Sequence, residues 1–325
     1  MHPSSVSDFK GINVLVIGDL MLDTYYWGIV NRISPEAPVP IVSVNKIERR
    51  LGGAGNVISN LKSLEALPFI ASVIGTDSTS SHIKKLIEEA NIKTEYILFS
   101  NNRVSTEKIR VINETKHIVR CDIENDTDIS HDEEVALLNG IKKCLDTHPI
   151  KVIVLQDYNK GVLTENLILS IIQIASEKNI PITVDPKKKN FFAYKNVFLF
   201  KPNLKEVKEA LDIDINPTDK HSLLHAANIL FERLNCENVF ITLSEHGAFY
   251  MNKAGEHQII PAHARKIVDV SGAGDTVISV ATLCVANKIP IHDIAILSNL
   301  AGGIVCEEPG VACLSLAQLN SYIIP

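Results

Sequence analysis

The strongest constraint on the fold is an alternation that sets in near residue 131. Four short β-prone runs, Val152–Leu155, Ile182–Asp185, Phe198–Phe200 and Val239–Leu243, stand among helical stretches at His131–Thr147, Thr164–Lys178, Leu204–Leu211 and Ser222–Leu234. Strands that alternate with helices in this way predict parallel βα units. Runs that are almost wholly apolar suit strands buried on both faces. Asn13–Ile17, which ends in Gly18-Asp19, reads as the first strand of the same sheet. The expectation is an α/β fold with a mostly parallel central sheet flanked by helices. Open sheets of this kind bind ligands beyond the carboxyl ends of their strands. Polar residues gather at those ends: Asp19 and Asp23, then Asp157, Asn159 and Lys160, then Asp185 and Lys187, then Thr242 and Ser244.

Two segments depart from the alternation. Thr24–Val44 carries Tyr25, Tyr26 and Trp27, followed by Arg32-Ile33-Ser34-Pro35-Glu36-Ala37-Pro38-Val39-Pro40-Ile41. So many prolines exclude a helix interior or a central strand and predict an extended edge segment. Its expected partners are Arg103–Ile112 and His117–Ile123, joined by the turn-like Asn113-Glu114-Thr115-Lys116. The three together predict a small β-sheet over residues 24–44 and 103–123. Period two places Thr106, Lys108 and Arg110 on one face, which suits either a grip on a phosphorylated substrate or an ordinary solvated face.

Two glycine-rich helix starts carry the chemistry. Leu51-Gly52-Gly53-Ala54-Gly55-Asn56 precedes Val57, Ile58, Leu61 and Leu64 at helical spacing. Asp269-Val270-Ser271-Gly272-Ala273-Gly274-Asp275-Thr276 joins a β-prone run, Lys266–Val270, to an apolar helical run ending at Ala286. Successive N–H groups at a helix start form a donor-rich nest for an anion. Asp275 beside such a nest reads as a general base in phosphoryl transfer or as a plain helix cap. Asn203-Leu204-Lys205-Glu206 matches a capping box and could equally position metal-bound water near phosphates. His221 and His225 stand four apart but have no third partner in the sequence, which argues against a metal site there.

Composition narrows the classes. With 46% hydrophobic residues the 325-residue chain can bury a core, and a net charge of −6 argues against a nucleic-acid-binding surface. Six scattered cysteines without a C-x-x-C pair suit a reduced cytoplasmic protein. Met1–Lys10 lacks a signal-peptide core, and no apolar run reaches membrane-spanning length.

These residues resemble the PfkB/ribokinase family of carbohydrate kinases over almost the whole length. Gly52-Gly53-Ala54-Gly55-Asn56 looks like the amino-terminal family signature, Asp269–Asp275 like the carboxy-terminal D-x-x-G-A-G-D signature, and Asn203–Glu206 like the N-x-x-E motif between them. Within the family the resemblance is closest to the D-glycero-β-D-manno-heptose 7-phosphate kinases. It rests on Gly18–Asp23, Arg32–Pro40, Asp269–Thr276 and the short Gly-Gly-x-x-Asn spacing, one residue shorter than in many ribokinases. The bifunctional heptose enzymes add an adenylyltransferase domain. This chain is expected to correspond to the separate kinase or the kinase portion, a single ribokinase-like domain over 1–325.

The resemblance implies a three-layer fold with the small sheet as a lid over the sugar. It makes Asp275 the base toward the anomeric hydroxyl and Gly272, Ala273 and Gly274 the anion hole. Asp23, Gly52, Gly53 and Asn56 would hold the sugar. Asn203, Leu204, Lys205 and Glu206 would lie by the ATP phosphates and Mg²⁺, the metal held through water, with Ser244, Gly247, Asn299 and Gly310 around the nucleotide. Lys108 and Arg110 are our own candidates for the 7-phosphate. A monovalent cation near Asp269 and a homodimer through lid strands complete the expectations. Rival readings are a kinase for ribose, fructose or another sugar phosphate, a silent sugar-binding regulator, and an oxidoreductase. The last is disfavoured because Val277 stands where a dinucleotide loop needs its third glycine.

Overall fold

The structure, a computed structural model, describes residues 9–114, 116–262, 267–308 and 310–323. In chain order the strands are β1 (Asn13–Gly18), β2 (Leu20–Ile33), β3 (Pro40–Gly53), β4 (Leu67–Gly75), β5 (Ile97–Ser100), β6 (Thr106–Asn113), β7 (Lys116–Ile123), β8 (Val152–Gln156), β9 (Ile182–Asp185), β10 (Leu199–Phe200), β11 (Asn238–Thr242), β12 (Ala248–Asn252) and β13 (His257–Ile260). The helices are α1 (Ala54–Ser63), α2 (Ser78–Glu89), α3 (His131–Thr147), α4 (Glu165–Glu177), α5 (Leu204–Leu211), α6 (Lys220–Leu234), α7 (Ala273–Ala286), α8 (Ile291–Val305) and α9 (Leu316–Ile323).

Nine strands form the central sheet in the order β13-β12-β11-β10-β9-β8-β1-β4-β5. Every pairing from β11 to β5 is parallel, and β12 and β13 close the far edge antiparallel. Side chains alternate across the sheet, as the pleat requires. Val14 and Val16 face a core built with α1, α7 and α8, whereas Leu15 and Ile17 face a second core built with α3, α4 and α6. The result is the expected three-layer α/β arrangement. From β1 the chain reaches β4 on one side and later β8 on the other, so strand order reverses at β1. That crevice is where an open α/β sheet takes a ligand.

The small sheet is larger than predicted. It has four strands in the order β3-β2-β6-β7, with β2 and β6 parallel and the other pairs antiparallel. The proline-bearing segment enters β3 at an edge, as its missing N–H groups require. Both long strands continue beyond the predicted bounds, since Leu20–Leu22 and Leu51–Gly53 are buried against the central layers. The β-prone run ahead of α7 does not form a strand at Ile267–Val270, and Lys266 lies outside the described residues. The N–H groups of Val268 and Asp269 both donate to the Cys306 carbonyl at the end of α8, which takes the place of a strand partner. Among the described residues no helix is long and apolar enough to cross a membrane.

Candidate active site

α7 begins at the carboxyl edge of the sheet, and its start is shaped by a glycine. Gly272 is the N-cap in the left-handed region, with φ 80°. A side chain there would be strained, and its Cβ would fall 2.7 Å from the Asn56 amide nitrogen. No side chain caps this helix. Thr276 makes the first intrahelical bond, to the Gly272 carbonyl at 3.0 Å. The N–H groups of Gly274 and Asp275 therefore precede the helical ladder and have no intrahelical acceptor. They carry the positive end of the helix dipole to the crevice.

Asp275, in the first turn, is 4% exposed. Its carboxylate accepts Asn56 Nδ2 on Oδ2 at 2.7 Å, and Gln156 Nε2 and Tyr158 Oη on Oδ1 at 3.0 and 2.8 Å. Burial pushes its pKa up to about 7, and the neighbouring Asp185 carboxylate adds to the rise against the pull of the Asn56 and Tyr158 donors. A carboxyl titrating near neutrality is poised for proton transfer. Asn56 is oriented by Asn60, whose Nδ2 donates to its backbone and side-chain oxygens at 3.0 and 3.1 Å. Thr276 Oγ1 completes this cluster by donating to Asn60 Oδ1 at 3.0 Å. The two glycine-rich helix starts, over two hundred residues apart in sequence, thus meet side chain to side chain.

Next to Asp275 lies a charged row at the ends of β9 and β10. Lys201 pairs with Asp185 at 3.1 Å, both nearly buried. Lys187 bonds to Glu206 and stands 5.4 Å from the centroid of the Tyr158 ring. Burial works against the Lys187 charge, yet Asp185 and Glu206 outweigh it and raise its pKa. Asn203 and Glu206 form the capping box that the sequence suggests: Asn203 Oδ1 accepts from the Glu206 N–H at 2.9 Å and Glu206 Oε2 accepts from the Asn203 N–H at 2.8 Å. Asn203 also forms an isolated parallel bridge with Thr242, which ties the start of α5 to the end of β11. Leu204 packs against the second core, and Lys205 is solvent-exposed beside Glu209.

The sugar-side candidates converge at the root of the small sheet. Asp23 is buried and accepts Arg110 Nη1 at 2.5 Å. Gly52 lies so close that a Cβ there would collide with the Asp23 carboxylate, and Gly53 backs onto the Asp19 carbonyl. Arg110 and Arg50 flank the Tyr25 ring at 5.2 and 5.4 Å from its centroid. Lys108 pairs with Asp122 and Glu124 at 3.5 and 3.7 Å. Of the remaining positions, Ser244 and Gly247 share one turn after β11, closed by a 3.1 Å bond between them. Asn299 Nδ2 donates to the Pro261 carbonyl, and Gly310 N donates to Asp269 at 2.9 Å.

The sequence reading missed Gln156 and Tyr158, which complete the ring of donors on Asp275. It also noted Asp19 without its task. The Asp19 carboxylate accepts the backbone N–H groups of Tyr158, Lys160 and Val162 at 2.7, 3.0 and 3.1 Å, so one buried acid shapes the loop that presents Tyr158.

The model of the pfkB family of carbohydrate kinases matches residues 12–316. The chain belongs to this family. It is accordingly a carbohydrate kinase, a phosphotransferase with an alcohol group as acceptor. Among curated relatives, the bifunctional protein HldE of Aliarcobacter butzleri is 40% identical over 313 residues, which cover 96% of this chain and 64% of that protein. The chain thus spans just under two thirds of that relative's length. Among solved structures, phosphofructokinase-2 from Escherichia coli in complex with potassium superimposes with a TM-score of 0.78 at 18% identity, covering 97% of this chain and all of that one. Arabidopsis thaliana ribokinase complexed with ribose and ATP gives a TM-score of 0.74 at 12% identity, covering 97% and 99%. These likenesses establish the ribokinase-like fold.

Proposed function

We propose that the chain is an ATP-dependent kinase that phosphorylates D-glycero-β-D-manno-heptose 7-phosphate at its C1 hydroxyl, giving the 1,7-bisphosphate for ADP-heptose and surface-glycan assembly. The observation that carries the reading is Asp275: a buried carboxylate titrating near neutrality in the first turn of α7, the same turn whose N–H groups lack helical acceptors. In this reading the anomeric hydroxyl gives its proton to Asp275 while Gly272–Asp275 stabilises charge on the moving phosphoryl group. Asp23, Gly52, Gly53 and Asn56 hold the sugar. Lys108 and Arg110 on β6 are the cations for the distal phosphate, each already set in place by acids: Asp122 and Glu124 for Lys108, Asp23 for Arg110.

The nucleotide lies over the β10–β11 edge, near Asn203, Glu206, Ser244, Gly247, Asn299 and Gly310. Among the described residues no group of three His, Cys, Asp or Glu side chains could hold a metal ion directly. Glu206 already bonds to Lys187 and to the Asn203 N–H. That suits Mg²⁺, which keeps most of its waters and takes phosphate oxygens. When bound, it would neutralise phosphate charge, with Glu206 contacting it through water. A monovalent cation near Asp269, a cytoplasmic location and a homodimer through the small-sheet edges β3 and β7 belong to the same proposal.

ADP release with Mg-ATP over a panel of ribose, fructose 6-phosphate and heptose 7-phosphate tests it. Turnover on the heptose phosphate is expected, with a loss of about 10²–10⁴-fold in Asp275→Asn. Activity confined to an unphosphorylated pentose or hexose would overturn the substrate, and an unchanged Asp275→Asn rate would overturn the base.

A further inference from the structure

The two oxygens of the base are not equivalent. Oδ1 of Asp275 accepts both Tyr158 Oη and Gln156 Nε2, while among the described residues Oδ2 accepts Asn56 Nδ2 alone. A carboxylate offers about two acceptor sites on each oxygen. Oδ1 is therefore filled, and Oδ2 keeps one site open. Neither donor on Oδ1 is free to turn away. The Gln156 nitrogen also lies 3.3 Å from Asp185 Oδ2, and reversing the amide would set its oxygen against two carboxylates. Its own Oε1 is buried without a hydrogen-bond partner, so the side chain gives up one bond to keep this orientation. Tyr158 is fixed by its N–H on Asp19 and by Lys187 over its ring.

We propose that Tyr158 is a positioning residue for the phosphoryl transfer: with Gln156 it fills Oδ1 and so directs the substrate hydroxyl to Oδ2, beside Asn56. The proposal rests on Asp275 being the base. In the step, the hydroxyl O–H bond breaks and its proton goes to Oδ2. The freed electron pair forms the new O–P bond, and the bond from that phosphorus to the nucleoside diphosphate breaks, its electrons leaving with the diphosphate. The titratable and charged groups around Asp275 are Asp185 at the end of β9, Lys187 beyond it, Lys201 beyond β10, Tyr158 beyond β8, and Cys313. Of these, the Tyr158 hydroxyl is the one that donates directly to the carboxylate and can be deleted without removing a charge or a ring.

Tyr158→Phe keeps the ring under Lys187 and removes that donor. A donor to the carboxylate favours its charged form, so its loss raises the proton affinity of Asp275. The acid limb of the kcat/KM profile, measured on the whole chain with Mg-ATP and the sugar phosphate, should move to higher pH by about half to one unit. Activity should fall several-fold near pH 7 and recover above about pH 8.5, with the KM for ATP unchanged. Gln156→Met should move the limb in the same direction. A uniform loss across pH with an unmoved limb in Tyr158→Phe would reduce the residue to a structural role and overturn the proposal. Should Asp275→Asn retain full turnover, the base assignment itself falls; an inactive Asp275→Asn with an unmoved limb removes this inference alone.

Discussion

Replacing Asp275 by Asn should inactivate the enzyme and, at alkaline pH, stabilise it relative to the change it causes in acid. Burial raises the folded-state pKa of Asp275 from its ordinary 3.8 to about 7. The unfolded chain therefore releases this proton at lower pH than the native one. Below pH 3.8 both states hold the proton and the residue costs nothing. As pH rises toward 7 the unfolded state is favoured increasingly, and above about 7 the penalty is complete. Three pH units at about 1.36 kcal/mol each amount to about 4 kcal/mol. An amide side chain carries no such penalty. It does place an NH₂ group against Asn56 Nδ2, a mismatch that costs about 1–3 kcal/mol at every pH.

The difference in unfolding free energy between variant and wild type isolates Asp275, because the other titrations cancel to first order. Linkage puts its growth at about 3 kcal/mol in favour of the Asp275→Asn variant between about pH 4.5 and 8. Urea denaturation of both proteins at several pH values reads this directly, through midpoints at constant m. Parallel stability curves would refute the reasoning, since they would mean that the folded and unfolded carboxyls titrate alike.

Two further outcomes follow from contacts around the site. Gly52→Ala should displace the Asp23 carboxylate from Arg110 and raise the KM for the sugar about tenfold or more, with little change for ATP; equal effects on both substrates would detach Asp23 from sugar binding. Asp19→Ala strands three backbone N–H groups and should lower stability by about 3 kcal/mol or more, visible as a lower denaturation midpoint. A midpoint within error of wild type would show that the Tyr158–Val162 loop holds its shape unaided.

Most parallel strands and the helices between them were readable because burial on both faces leaves a continuous apolar run, as in Val152–Leu155, whereas β5, α8 and α9 went unread. The glycine motifs were readable because close approach leaves a local mark. Bounds were harder where one strand serves two environments: β2 begins as core at Leu20 and ends exposed at Ile33, so its composition changes midway. The hairpin of β12 and β13 went unread, being short and antiparallel at an edge. Gln156 carries no periodic signal at all. Its one clue is an amide closing an otherwise apolar strand, and only the fold shows that it faces Asp185 and Asp275. Asp19 likewise acts on backbone groups some 140 residues away, a relation that no local pattern encodes.

β2 and β3 are strands of 14 residues each, paired from Leu20 and Gly53 at the crevice out to Ile33 and Pro40, with register shifts at Trp27/Gly28 and Val30/Arg32. At about 3.3 Å per residue such a ribbon is about 43 Å long. Both shifts lie beyond Asp23 and Gly52, whose neighbours Leu20–Leu22 and Leu51–Gly53 are held against the central layers. A bulge bends and twists a strand locally, so the exposed outer part of the ribbon is set at its own angle while the inner part stays seated at the crevice. Residues beyond Trp27 can therefore vary in sequence and course without moving the Asp23 carboxylate.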